Sequence, residues 1–190
     1  MTKLKPQKVL YYVTGNESKF KTAKNYFEAL GVKVLQKTLR IPEIQSDSIE
    51  EIATDKAQKA YSILKHPLFV SDSCWYITAL KGFPGPYMNQ VNQWLTSKDF
   101  LNLMKPYKNR EIILHQAIAY TDEKRSKVFI FDTPGRILKK PKGPPIASID
   151  QIVSVSSNGL SISEEKERCG FNFEVERPLW EKFFGWWLSP

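Results

Sequence analysis

Three observations predict an α/β fold built on a mixed sheet. From Lys8 to Val70, apolar runs alternate with segments of helical period, the pattern of strands joined by helical crossovers. Two long, loosely alternating runs, Glu111–Thr121 and Lys127–Phe131, flank a polar turn at Asp122–Arg125 and predict antiparallel partners. A length of 190 residues with 42% hydrophobic and 25% charged residues suits one globular domain, or one domain with a lobe, spanning 1–190.

The elements follow in order. Lys8–Thr14 reads as a buried first strand. Asn16–Leu30 reads as a helix, with Phe20, Ala23, Phe27 and Leu30 at spacings of three to four residues. Asn16 suits its N-cap and Gly31 its C-terminal stop. Val32–Gln36 returns as a strand, and Ile41–Ile44 is a short extended piece broken by Pro42. Ser48–Lys65 is a second helix opened by a Ser48/Glu51 capping box. Leu68–Val70 predicts a short strand ending in Ser71-Asp72-Ser73, and Trp75–Leu80 predicts another. Lys81–Tyr87, with two glycines and two prolines, is a rigid loop. Val91–Leu95 and Phe100–Met104 are helical, stopped by Pro106. Gly135–Leu138 prolongs the second long strand, and Lys139–Pro145 is a basic, proline-rich loop. Ile146–Ile162 predicts two short strands. A terminal helix carries Trp180, Phe183, Phe184, Trp186 and Trp187, aromatics suited to core or subunit interface rather than a membrane wedge.

Composition narrows the function. No run is long enough to span a membrane, and Met1 to Gln7 lacks the apolar core of a signal peptide. Cys74 and Cys169 form neither a metal motif nor a disulfide framework, which favours a reducing, cytoplasmic setting. His66 and His115 stand alone and read as structural. The net charge of +8 asks for an acidic partner. The lysines are scattered, densest at Lys19–Lys24 and Lys139–Lys142, with no continuous basic stripe interleaved with aromatics, so stable nucleic-acid binding is not expected.

The chemistry concentrates near the amino terminus. A strand turning through Thr14-Gly15-Asn16 into a helix aims unpaired N–H groups and the positive helix end at one point, suited to phosphate. Lys19 occupies N3, where a cation opposes the dipole at a cost of about 0.3–1 kcal/mol that an anion would offset. An ordinary solvated turn explains the same residues. Lys56 shares a stripe with Ile49, Ile52, Ala60 and Ile63, so it is either a snorkelling lysine or one reaching phosphate oxygens. Asp72, directly after a buried strand, and Glu43, in an extended piece, are candidate Mg²⁺ ligands, since magnesium takes one or two carboxylates plus water and phosphate. Trp75, Tyr76 and Trp94 are candidate stacking groups, though core burial accounts for each.

These residues carry a resemblance. Thr14-Gly15-Asn16-x-x-Lys19, Pro42-Glu43-x-Gln45, Lys56, Ser71-Asp72-Ser73 and Ala79-Leu80-x-Gly82-Phe83-Pro84-Gly85-Pro86-Tyr87 resemble, in order and spacing, the inosine triphosphate pyrophosphatases. Gly135-Arg136-Ile137 is a weaker match. The resemblance implies an elongated mixed α/β fold around a central nucleotide cleft, a homodimer, and Mg²⁺-dependent hydrolysis of deaminated purine nucleoside triphosphates to monophosphate and pyrophosphate. It implies substrate binding by Thr14, Gly15, Asn16, Lys19, Lys56 and Ser73, metal and water at Glu43 and Asp72, and catalysis by Asp72 and Lys56. Asp72 would be the general base. The second half departs from the pattern. Lys139–Asn158 lacks the family's aromatic-Gly-aromatic-Asp-Pro base box, and Gly170–Phe173 lacks its Ser-His-Arg, while Lys166 supplies the lysine that precedes it. That departure leaves a second reading, a catalytically weak or inactive descendant serving as a nucleotide-binding or interaction module.

Overall fold

A computed structural model describes residues 9–169 and 173–189. The Met1 to Gln7 leader reading lies outside them. So does the Gly170–Asn172 part of the segment lacking Ser-His-Arg. Seven strands form one sheet of order β2-β1-β3-β5-β6-β7, with β4 paired to β3. The chain divides into two compact units. The first comprises residues up to Gln45, Glu50–Asp72 and Ile118–Phe129; the second comprises Ser46–Ile49, Ser73–Ala117 and Ile130 onward.

In the first unit, β1 (Val9–Val13) pairs in parallel with β2 (Lys33–Lys37) on one side and with β3 (Leu68–Ile77) on the other. Helix α1 (Glu17–Ala29) joins β1 to β2. Asn16 caps it by accepting from the Lys19 N–H at 3.0 Å. Its far end closes as a Schellman turn, with Gly31 N–H to Glu28 O and Val32 N–H to Phe27 O, both 3.0 Å. Gly31 adopts φ of +76°, which a side chain would strain. Helix α2 (Ile49–Leu64) joins β2 to β3 and buries Ile49, Ile52, Ala53, Ala57 and Ala60. Ile63 is 58% exposed, so the inward stripe expected from Ile49 to Ile63 stops a turn early and turns toward the alanines. Leu10, Tyr12, Phe27 and Phe69 are fully buried, with Tyr12 and Phe69 stacked at 4.4 Å between ring centroids.

Two further expectations change here. Leu68–Val70 and Trp75–Leu80 are not separate strands: β3 runs unbroken through Ser71-Asp72-Ser73, and only Thr78–Leu80 leaves it, as a 3₁₀ turn. Sheet pairing has overridden the weak strand propensity of Ser-Asp-Ser. Ile41–Ile44 forms no strand and is loop.

In the second unit, β4 (Pro84–Gly85) pairs antiparallel with β3 through Trp75↔Gly85 and Tyr76↔Pro84. Gly85 has φ of +57°, and a Cβ there would press the Tyr76 ring at 3.1 Å. Helices α3 (Met88–Trp94) and α4 (Ser97–Leu103) follow, α4 opened by a Thr96/Asp99 capping box. Strand β5 (Glu111–Thr121) turns into β6 (Ser126–Ile137) through Asp122–Arg125, as predicted, the Ile118–Phe129 part of this hairpin belonging to the first unit. Ile146–Ile162 holds only one two-residue strand, β7 (Val153–Ser154), instead of two. Ser161 and Glu164 instead make a reciprocal capping box for α5 (Ile162–Cys169). Helix α6 (Phe173–Leu188) buries Trp180, Phe183, Phe184 and Trp187, so the terminal aromatics are core. Ile77, Phe100, Met104, Ile112, Ile152 and Val153 belong to one apolar cluster of this unit. Trp75 is also buried, but Trp94 is 73% exposed, against its reading as core.

Candidate functional site

The first unit has the 2-1-3 strand order, in which the β1→β2 and β2→β3 crossovers run in opposite directions. Such a switch point opens a crevice at the carboxyl ends of the strands. What the chain places there follows from register. Tyr12 is level with Phe69 and β1 ends one residue on, at Val13, so β3 outruns it and Asp72 lies three residues beyond the paired Phe69. Asp72 is therefore inside its own strand, not at its end, and the Glu50–Asp72 segment of the first unit closes on it.

The Thr14–Asn16 turn is held from several sides. Thr14 N–H donates to Lys37 O at 3.0 Å, and Thr14 O accepts from Gln36 Nε2 at 3.2 Å. Asn16 N–H donates to Thr14 Oγ1 at 3.1 Å. With Lys19 N–H taken by the cap, the Glu17 and Ser18 N–H groups make no bond among the described residues. They face outward at the positive end of α1. A Cβ at Gly15 would meet only Thr38 Cγ2, at an ordinary 3.7 Å, so space does not demand glycine there.

Alternation sets the face on which Asp72 lies. The Tyr12 hydroxyl hydrogen-bonds Ser71 Oγ, and Phe27 of α1 lies 5.7 Å from Phe69, so Phe69 and Ser71 point to the α1 side. Asp72 points to the opposite face. Right-handed β1→β2 and β2→β3 crossovers running in opposite directions put α2 on that opposite face. Asp72 thus shares a side of the sheet with Lys56.

On α2, Lys56 Nζ lies 2.5 Å from Glu43 Oε1. One turn on, Lys59 Nζ donates to Pro42 O at 3.2 Å while pairing with Asp55 at 2.7 Å. Two lysines therefore fasten the Pro42-Glu43 loop to the helix, and Glu43 is brought to Lys56 by tertiary contact alone. Lys59 was not singled out from sequence. Its spacing of three residues from Lys56 is the available signal.

The remaining predicted residues stand in the second unit. Ser73 is the first residue of β3 there. Lys166 donates to Asp150 at 2.7 Å, and the Asp150 side chain is only 8% exposed. Asp150 was missed because nothing in Ser148-Ile149-Asp150 signals a buried acid before the fold closes over it.

The donor set suits a hard cation. Glu43 and Asp72 offer carboxylate oxygens, while no cluster of three His, Cys, Asp or Glu side chains exists among the described residues. Carboxylate oxygens are the donors magnesium takes, with water and phosphate completing its shell. A separate cavity of about 410 Å³ lined by Ile44, Glu50, Glu51, Thr54, Asp55 and Gln58 is acidic and would repel a polyphosphate.

A model of the Ham1 family matches residues 10–168. This chain belongs to the Ham1 family. Its relatives include a dITP/XTP pyrophosphatase of Methanopyrus kandleri, 32% identical over 96% of this chain and 97% of that one. A dITP/XTP pyrophosphatase of Thermococcus kodakarensis is 37% identical over 70% of this chain and 72% of that one. An inosine triphosphate pyrophosphatase of Tuber melanosporum is 32% identical over 71% and 73%. The fold is that of the Ham1 protein of Staphylococcus aureus, with a TM-score of 0.74 at 21% identity, covering 94% of this chain and 99% of that one. Within the described residues no helix is long and apolar enough to cross a membrane.

Proposed function

We propose that this Ham1 protein is a Mg²⁺-dependent nucleoside-triphosphate pyrophosphatase, releasing pyrophosphate and a monophosphate from deaminated purine nucleoside triphosphates. The observation that supports the reading is that β3 carries Asp72 past the carboxyl end of β1, where the chain turns through Thr14–Asn16 into α1. The activities of its relatives support the substrate class. A cytoplasmic homodimer is the form expected for it.

In this reading the substrate's phosphates lie against the Glu17 and Ser18 N–H groups, the Thr14 hydroxyl and the Lys19 ammonium. Water attacks the α-phosphorus and the α–β bridging oxygen leaves with pyrophosphate. Asp72 accepts the proton of that water. Lys56 and Lys19 stabilise the negative charge on the phosphoryl oxygens, and cations already in position do so without reorganisation. Glu43 and Asp72 would hold Mg²⁺, whose charge would offset that of the polyphosphate.

The test is pyrophosphate release across a panel of nucleoside triphosphates, with and without Mg²⁺. Turnover of inosine or xanthosine triphosphate only when Mg²⁺ is present is the expected result. Binding without turnover for every triphosphate would instead make the protein a nucleotide-binding module, as the replaced base box would suit.

A further inference from the structure

Two segments distant in sequence are stitched together at one end of the β5–β6 pair, within the second unit. Ile137 N–H donates to Arg110 O at 2.8 Å, and the Arg110 guanidinium returns bonds to Ile137 O at 3.3 Å and Leu138 O at 2.6 Å. This joins residues 105–110 to residues 136–140. The two segments contain Lys105, Lys108, Arg110, Arg136, Lys139 and Lys140, and neither contains an Asp or Glu. All but Arg110 are exposed, and among the described residues none of the six forms a salt bridge.

Of the nearby acids, Glu111 accepts from Thr78 Oγ1 at 2.9 Å and forms no salt bridge with the six, and Asp150 is buried against Lys166. Burial, and then the Arg136 charge, lower the Arg110 pKa, so like charges are held together here. The loop is also fixed in place, with Leu138 N–H on Ile152 O at 2.7 Å and Lys142 N–H on Gln151 O at 2.8 Å. Tyr107 stands among the cations, 44% exposed.

Charges held together without counter-charge lower stability unless a polyanion relieves them. An exposed aromatic ring set among cations adds a face on which an unpaired base stacks. A duplex offers no free base to that ring. Leu103 and Ile146, the exposed aliphatics flanking the segments, are single residues and not an apolar face that could enter a lipid surface. We propose that the 105–110/136–140 surface binds single-stranded nucleic acid through its phosphates, with Tyr107 stacking on a base. It does so independently of the nucleotide site.

The experiment is anisotropy titration of a labelled 20-nucleotide oligouridylate with the full chain between 50 and 200 mM salt. The variants are K105A/K108A, K139A/K140A, the four-fold combination, and Tyr107→Ala. Each lost phosphate contact makes the log–log salt slope shallower by about 0.7, so each pair should remove about 1.4 and the four-fold variant about 3. The four-fold variant should bind at least tenfold more weakly at 50 mM salt. Tyr107→Ala should weaken binding by roughly fivefold or more at unchanged slope. Melting temperature and pyrophosphate release report folding, and the paired variants carry the test should the four-fold variant unfold. Unchanged affinity and slope in both pairs would overturn the proposal. So would full displacement of the oligonucleotide by inosine triphosphate, or binding to anionic phosphatidylserine vesicles with none to oligonucleotide.

Discussion

The Lys56 ammonium and the Glu43 carboxylate meet at 2.5 Å, with the lysine side chain 24% exposed and the glutamate side chain 47%. A pair this open to water contributes about 0–1 kcal/mol to stability. Its loss should therefore cost the fold little. Lys56→Ala should cut pyrophosphate release by about 10²–10³-fold, as for loss of one prepositioned charge. The urea midpoint should move little. A large fall in the midpoint with activity retained would make the pair structural.

Asp72 sits half-buried inside a strand, so an isosteric change keeps the ladder intact. Asp72→Asn should lower turnover by about 10²–10⁴-fold, the usual contribution of a general base, while inosine triphosphate still binds. Calorimetric titration with stopped-flow pyrophosphate detection separates the two quantities. Turnover near the wild-type level would assign the base elsewhere.

The Asn16 cap links stability to phosphate binding. Asn16→Ala should cost about 0.5–2 kcal/mol and Asn16→Gly only a few tenths, because glycine leaves the N–H groups open to water. Both variants should raise KM by loosening the turn that presents Glu17 and Ser18. Chemical denaturation and steady-state kinetics on the same preparations check this.

The carboxyl-terminal aromatics make a stability prediction. Phe183 is fully buried and Phe184 and Trp187 nearly so. Phe183→Ala should cost about 3–5 kcal/mol. Truncation after Lys182 removes all three and should abolish a cooperative unfolding transition. An unchanged melting temperature on truncation would mean that the core closes without them.

Acid stability should depend on Asp122. Its partial burial acts to raise its pKa. Hydrogen bonds from the Tyr120 hydroxyl at 2.6 Å, the Lys124 and Arg125 N–H groups, and the Arg125 guanidinium outweigh burial and lower it. A lowered carboxyl pKa stabilises above the unfolded-state value of about 3.9 and loses that contribution as pH falls through the folded value. Asp122→Asn should therefore lower the urea midpoint at pH 7 and flatten its fall below about pH 4. Parallel wild-type and variant curves down to pH 2 would refute this.

Much of the site was legible locally. Thr14-Gly15-Asn16 between an apolar run and a helix-period run specified its own turn, and the structure supplies the cap on Lys19 that the spacing implied. The Asp122–Arg125 turn was legible for the same reason. Ser71-Asp72-Ser73 misled because polar residues inside a strand look like a break until neighbouring strands pair with them. Trp94 misled because hydrophobicity names a residue fit for the core without saying whether the fold covers it.

By itself the sequence determined which segments are helix or strand and where their caps fall, because capping bonds and periodicity act over three or four residues. It also determined the chemical kinds of group available for a polyphosphate. Only the tertiary structure decided that Asp72 lies past the carboxyl end of β1, that Glu43 reaches Lys56, and that the 105–110 cations join those of 136–140. Each of those relations depends on strand register or loop docking across tens of residues. Register is set by which faces bury together, which no local stretch of chain encodes alone.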